Sequence, residues 1–315
     1  MVKGFFRNML WTGMVAVTAM SCNTSTGSKH KDTTTKGSIK VVADESLRPL
    51  LDAEIEVFQH IYRGATITPI YLAEGEALQT LLDDSVKLAF VTRKLKQDET
   101  EYFKKIETPV AEVKIATGAI ALIVNASNPD TLLTMDQVRD VLQGKVTTWD
   151  QLGGKSKDGI KIVFDHASSG QVRVLKDSVG RISELPKNCF AANNNEAVVD
   201  FVMKNPDALG VIGLEWVSDR DDSTTNEFRK TVRVVGLAPA GTKEYRKPYQ
   251  AYISLKEYPL SRSIYTISRE NRAGLASGFI RFLANEQGQR IVLKSGLVPA
   301  TMPLRIVEIN PNPLK

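Results

Sequence analysis

Phe164-Asp165-His166-Ala167-Ser168-Ser169-Gly170-Gln171-Val172-Arg173 places two hydroxyls, a glycine and a base between an apolar run (Ile160, Ile162, Val163, Phe164) and a helical pattern (Val172, Leu175, Val179). A strand that stops in Ser-Ser-Gly and opens a helix offers unbonded N–H groups, hydroxyl donors and the positive end of the helix dipole. Together these make a seat for an oxyanion. The same chemistry recurs after two other apolar runs: Ser46 and Leu47 follow Ile39 to Ala43, and Thr92 and Arg93 follow Leu88 to Val91. Ser46 and Ser169 also fit a simpler role as helix caps, which a binding loop can play at the same time. The acids Asp44, Glu74 and Asp165 stand in or near these loops. A carboxylate there accepts the proton of a protonated oxyanion and repels a fully ionised one.

His166 adjoins the third loop. It has no second His or Cys nearby, so metal-ligand spacing is absent and no metal or cofactor is expected. A hydrolytic pairing of Ser169 with His166 lacks the Gly-x-Ser-x-Gly elbow, and one Ser and one His on a single loop are not a triad. Cys189 reads as a small buried hydrophobe.

These loops require strands that end at them and helices that begin there. From Ser38 onward, short apolar runs alternate with amphipathic segments, as βα units around a mostly parallel sheet do. The pattern predicts strands over 39–43, 66–71, 88–91, 114–125, 160–164 and 210–213. It predicts helices over 47–62, 77–82, 135–142, 196–204, 275–285 and 288–294, another following Ser169, and an extended return segment over 248–254. At 315 residues the chain is longer than one core usually serves, so two lobes are expected.

The first 21 residues read as an export signal: Lys3 and Arg7, an apolar run from Met9 to Met20, then small residues before Cys22. The run is too short to span a bilayer, which takes about 20 residues. Residues 22–37 are Ser-, Thr- and Lys-rich and read as a tether. That layout resembles a bacterial lipoprotein cleaved before Cys22 and lipidated on its sulfur; the other reading is a disulfide with Cys189. Loss of Lys3 and Arg7 with no acid lowers the formal charge from +5 to +3. Acids and bases are interleaved, which does not imply nucleic acid and suits a small anionic ligand.

The order of motifs resembles the periplasmic phosphate-binding proteins of ABC transporters. The resemblance is carried by Ile39 to Leu47, Leu88 to Arg93, Ala167 to Gln171, Ala208 to Gly213, Tyr258-Pro259-Leu260-Ser261-Arg262, and the ending from Gly288 to Pro299. It implies an α/β fold of the type II periplasmic-binding-protein class: two lobes of mostly parallel sheet, 38–120 plus 251–315 and 121–250, joined by a two-strand hinge. It further implies a lipid-anchored, exported, monomeric protein that faces the periplasm. Such a protein captures inorganic phosphate or a similar oxyanion between the lobes and hands it to an ABC permease without chemistry. The ligand residues so implied are Ser46, Leu47, Thr92, Arg93, Ser168, Ser169, Gly170, Gln171 and Arg173. Three departures stand out. Asp165 occupies a place where relatives often carry arginine, Gln171 replaces a threonine, and Ala73-Glu74-Gly75-Glu76-Ala77 replaces a Ser- and Gly-rich stretch. The arginine must then be Arg93 or Arg173. The alternative on the same fold is a phosphate-sensing or surface interaction protein, or one that binds another oxyanion.

Overall fold

The computed structural model describes residues 32–304 except 155, 220 and 222, so the export signal and Cys22 lie outside the described residues. The end of the tether is held in place. Asp32 pairs with Arg272 at 2.5 Å and accepts the N–H of Leu275 at the start of a helix, so the described part of the expected tether is tied to the fold.

β1 (Lys36–Asp44), α1 (Arg48–Ile61), β2 (Gly64–Leu72), α2 (Glu74–Leu82) and β3 (Leu88–Val91) form the first parallel group. β1 lies in the middle, with Val42 beside Ile70 of β2 and Ala89 of β3. Flanked on both sides, β1 is wholly buried from Val41 to Asp44. α1 turns Leu50, Leu51, Ile55 and Phe58 inward, three and four residues apart on one face. The Phe58 ring meets those of Phe279 and Phe282 at 5.0 and 5.3 Å. Phe58→Ala is expected to cost about 3–5 kcal/mol, read from urea unfolding at neutral pH. A loss below about 1 kcal/mol would show that this cluster does not anchor α1.

α3 (Gln97–Lys105) went unread in the sequence because only Phe103 of its nine residues is buried and its surface is charged. β4 (Ala111–Asn125) is buried almost without break from Ile115 to Val124. The chain continues through β5 (Leu132–Thr134), α4 (Met135–Leu142), β6 (Lys161–Phe164), α5 (Gly170–Arg173), β7 (Cys189–Ala191), α6 (Asn195–Lys204) and β8 (Ala208–Gly213). β6 lies parallel to both β7 and β8, making a second parallel group. α5 passes directly into π-helical turns over Val174–Gly180.

After α7 (Glu215–Ser218), α8 (Ser223–Thr231), β9 (Val232–Val234) and β10 (Gly236–Ala238), the expected extended segment over 248–254 is instead partly helix, α9 (Gln250–Ser254). Tyr249, Tyr252 and Ile253 are residue types that favour strand, which gives the segment its strand-like look. The Tyr252 ring instead lies under the Arg246 guanidinium at 5.0 Å, and Gln250 donates to the carbonyl of Leu293 at 2.9 Å. The true return strand is β11 (Ser261–Ser268), antiparallel to β3 on one side and to β4 on the other. α10 (Leu275–Ala284), α11 (Glu286–Lys294) and β12 (Val298–Pro299) complete the described chain.

Among the described residues these strands form a ten-stranded sheet in the order β2-β1-β3-β11-β4-β8-β6-β7, with β9 and β12 also on β4. β4 serves both groups: Ala111 to Ala119 pairs with β11, and Ile120 to Val124 pairs with β8. The fold is mixed α/β, with each parallel group presenting carboxyl-terminal strand ends, where such sheets collect ligand residues.

Candidate functional site

The loops at those strand ends meet. β1 ends in Asp44, whose Oδ1 accepts the N–H of Ser46 at 2.9 Å and caps the turn Glu45–Leu47. Ser46 is buried, and its Oγ accepts a hydrogen bond from Arg262 of β11 at 3.0 Å. Arg262 is itself buried and pairs with Glu215 of α7 at 3.1 Å. β2 ends in Ala73, after which Glu74 opens α2 with its side chain turned inward and 3% exposed. At the end of β3, Thr92 donates its N–H and its hydroxyl to Glu74 Oε1, at 2.8 and 2.5 Å.

From the second group, β6 ends in buried Asp165, and the turn that follows closes with Ser169 N–H on the carbonyl of His166 at 3.1 Å. Ser169 Oγ accepts the N–H of Val172 at 3.3 Å, so the capping role is real. Arg173, one helical turn on, donates Nε to Glu74 Oε2 at 2.7 Å and reaches Thr92 Oγ1 with Nη2 at 3.4 Å. After β7, Asn195 donates its N–H and Nδ2 to Glu45 Oε2 at 3.0 and 2.5 Å. Gly75 N–H donates to the carbonyl of Ser168 at 3.4 Å.

Gly170 lies at the centre. A Cβ there would stand 2.6 Å from Thr92 Oγ1, 2.9 Å from Asp44 Oδ2 and 2.9 Å from Glu74 Oε1. Three loops from the first parallel group therefore converge on one glycine of the second. A cleft of about 190 Å³, lined by Glu45, Tyr71, Ala73, Glu76, Asp165 and His166, opens at the same strand ends.

The structure thus brings together Ser46, Thr92, Ser169, Gly170 and Arg173. Arg93 takes a different course: its guanidinium makes two bonds to Glu99, at 2.7 and 2.6 Å, and only its Nε approaches Glu74, at 3.9 Å. Of the two candidate arginines, Arg173 reaches the centre. Leu47 buries its side chain in the core. Ser168 is exposed and its Oγ sits 2.9 Å from His166 Nδ1, so the histidine partners Ser168 and not Ser169. Gln171 is fully buried. With its amide nitrogen toward Asp165 Oδ1 (3.2 Å) and the Val211 carbonyl (3.1 Å), its oxygen accepts the N–H of Gly213 at 2.8 Å. That side chain braces the turn from behind.

Arg262, Glu215 and Asn195 were not among the expected site residues. A signal for Arg262 was present: Leu260, Arg262 and Ile264 alternate along one strand face, so the charge falls on an inward position.

The electrostatics follow from burial. Burial, together with the Glu74 charge, raises the Asp44 carboxyl above its ordinary range. Burial, with Asp44 nearby, pushes Asp165 up to about 7. Burial would raise Glu74 too, but the hydrogen bond and charge of Arg173 and the two bonds from Thr92 outweigh it and hold Glu74 below the usual value. Glu215 is raised by burial even against Arg262. Glu74 is therefore the anion that Arg173 and Thr92 grip, while burial holds the Asp44 and Asp165 carboxyls above their ordinary range. Asp44 Oδ2 is buried, has no hydrogen-bond partner, and points toward Gly170. Burial pushes the Cys189 thiol up to about 12, as suits a packed side chain. Among the described residues no three or more His, Cys, Asp or Glu are grouped to hold a metal ion, and no helix is long and apolar enough to cross a membrane.

Comparison with known proteins places this arrangement. The family model described as the PBP superfamily domain matches residues 28–287. The chain is 24% identical over 295 residues to the phosphate-binding protein PstS of Pseudomonas aeruginosa, covering 86% of this chain and 85% of that one. It is 22% identical over 274 residues to PstS of Staphylococcus epidermidis, covering 85% and 81%. A Clostridium perfringens protein, assigned as a phosphate ABC transporter substrate-binding protein and solved with bound phosphate, superposes with a TM-score of 0.71 at 25% identity. That match covers 84% of this chain and 100% of the other. An ABC-type phosphate transport receptor from Vibrio cholerae shares the fold, with a TM-score of 0.62 at 21% identity over 84% of this chain and 100% of the other. With the family match spanning residues 28–287, most of its length, the chain belongs to the PBP superfamily.

Proposed function

We propose that this chain is the substrate-binding component of a phosphate ABC importer. It captures inorganic phosphate at the strand ends and delivers it, chemically unchanged, to a membrane permease. The observation that carries the reading is the convergence on Gly170 of Thr92, Asp44 and Glu74, all within 2.6–2.9 Å of its Cβ position. Around that point stand the donor types a tetrahedral oxyanion needs: the Thr92 N–H and hydroxyl, the N–H groups of the turn at Ser169 and Gly170, and the Arg173 guanidinium. The unpartnered Asp44 Oδ2 supplies an acceptor for the hydroxyl of a hydrogen phosphate, which sulfate lacks near neutral pH. The relatives named for phosphate binding support the same ligand.

In this reading, residues 38–120 plus 251–315 form one lobe and 121–250 the other, closing on the ligand about the two crossings of the chain, within β4 at 120–121 and at 250–251. Ser46 and Leu47 contribute through the capped turn, Ser168 and Gln171 through the backbone of theirs, and Arg93 by holding the Thr92 loop through Glu99. The protein works as a monomer, tethered by lipid on Cys22 outside the cytoplasmic membrane.

Calorimetry on the folded chain tests this. Phosphate is expected to bind and sulfate at equal concentration to bind far more weakly. Arg173→Ala is expected to weaken phosphate binding by about 100-fold, since removing a charge-assisted partner costs about 2–3 kcal/mol. No binding of phosphate, or equal binding of both anions, would overturn the assignment.

A further inference from the structure

Glu74 does something the oxyanion reading does not require. It opens α2, where an acid ordinarily points to solvent and merely favours the helix dipole. Here the carboxylate turns inward and spends both oxygens on other segments. Oε1 accepts the Thr92 N–H, the Thr92 hydroxyl and, at 3.5 Å, Arg173 Nη2; Oε2 accepts Arg173 Nε at 2.7 Å and lies 3.9 Å from Arg93 Nε. Oε1 also stands 2.9 Å from the Cβ position of Gly170. The two oxygens of a carboxylate present the same kind of edge as two oxygens of a tetrahedral anion, and guanidinium pairs with either. A charged side chain turned into the interior is costly unless its partners compensate, and these partners are the donors assigned to the ligand.

We propose that Glu74 is a tethered competitor: in the free protein its carboxylate fills the oxyanion seat, and the incoming anion must displace it. Affinity is then set by the difference between two anions on one set of donors. An anion that bonds these groups more fully than a carboxylate gains entry, and a weaker one is refused by a side chain already in place. Displaced toward the neighbouring cleft, Glu74 regains water, and Arg173 passes from an internal partner to an external one. This inference rests on the seat proposed above, and its test separates the two.

The full chain and its Glu74→Ala variant are compared by calorimetry with sodium phosphate and by thermal shift with sodium formate or acetate. The variant is expected to bind phosphate about tenfold or more tightly than the parent, because the lost internal bonds are charge-assisted. A small carboxylate is expected to raise the melting temperature of the variant and leave that of the parent unchanged, because it refills the vacated place. Formate or acetate stabilising only the variant, with phosphate inert on both, would uphold the competitor and remove phosphate as the ligand. Phosphate binding to the parent with equal or weaker binding to the variant, and no carboxylate effect, would overturn the competitor and leave phosphate capture standing. Absence of every response would overturn both. If Glu74→Ala does not fold, Glu74→Gln serves, since it removes the charge and keeps the shape. It is expected to tighten phosphate binding as well, and a loss instead would show that Glu74 helps to hold the ligand.

Discussion

Gly170→Ala is expected to weaken oxyanion binding by about 100-fold or more while the chain still folds. The added methyl would stand 2.6 Å from Thr92 Oγ1 and 2.9 Å from both Asp44 Oδ2 and Glu74 Oε1, closer than a carbon can approach oxygen without displacement. None of the three atoms moves freely. Thr92 is bound to Glu74 through its own N–H, Asp44 caps the Ser46 turn, and Glu74 is held by Arg173. Relief must come from moving the 168–171 turn away from the first parallel group, which separates the donors that have to act together. Overpacking of this kind costs about 1–3 kcal/mol of stability, a tolerable loss for a chain of this size. The same displacement is expected to weaken affinity by about 100-fold or more, because a misplacement near one ångström breaks several charge-assisted bonds at once. Calorimetry and thermal unfolding on the same sample separate the two effects. Unchanged affinity would show that the turn is not part of the seat.

The second large effect lies far from the site. Glu54 sits on the inward face of α1 among Leu50, Leu51, Ile55 and Phe58, and both its carboxyl oxygens are buried without a hydrogen-bond partner. Burial pushes its pKa from 4.5 up to about 9. Between those values the folded chain binds a proton that the unfolded chain releases, so folding stability falls as pH rises through this window by about 1.4 kcal/mol per unit. At pH 7 the accumulated penalty is about 3 kcal/mol, and it is nearly absent at pH 4.5. Glu54→Leu replaces the carboxyl with an apolar group of similar size. The variant is expected to be more stable than the parent, with a margin that widens from pH 5 to pH 8 in urea titrations. A margin that does not change with pH would show that the carboxyl has a partner or reaches water.

The strands and helices that build the core were legible because each leaves a periodic trace. β3 is a four-residue apolar run, α4 carries Met135, Val138, Val141 and Leu142 on one face, and both match their expected bounds. What escaped notice did so for physical reasons. α3 buries a single side chain, so it has no apolar face to read. α9 is five residues long and carries Tyr252 and Ile253, residue types that favour strand where tertiary contacts do not intervene. The site divides along the same line. Ser169, Gly170 and Thr92 could be found because they follow apolar runs, and the strand ends of an α/β sheet are a limited set of places. Which arginine reaches them could not be read, since Arg93 and Arg173 both sit beside such an end and only the three-dimensional position of Glu99 draws Arg93 aside. The inward turn of Glu74 depends on Arg173, 99 residues away along the chain, and no local pattern announces it.

A crystal structure of the chain grown with phosphate decides whether the seat holds the anion. A tetrahedral anion is expected beside Gly170, within hydrogen-bond reach of the Thr92 N–H and hydroxyl, the 169–170 turn and the Arg173 guanidinium, with one anion oxygen on Asp44 Oδ2. An anion bound elsewhere, or Thr92 and Arg173 still paired to Glu74 at saturating phosphate, would contradict it.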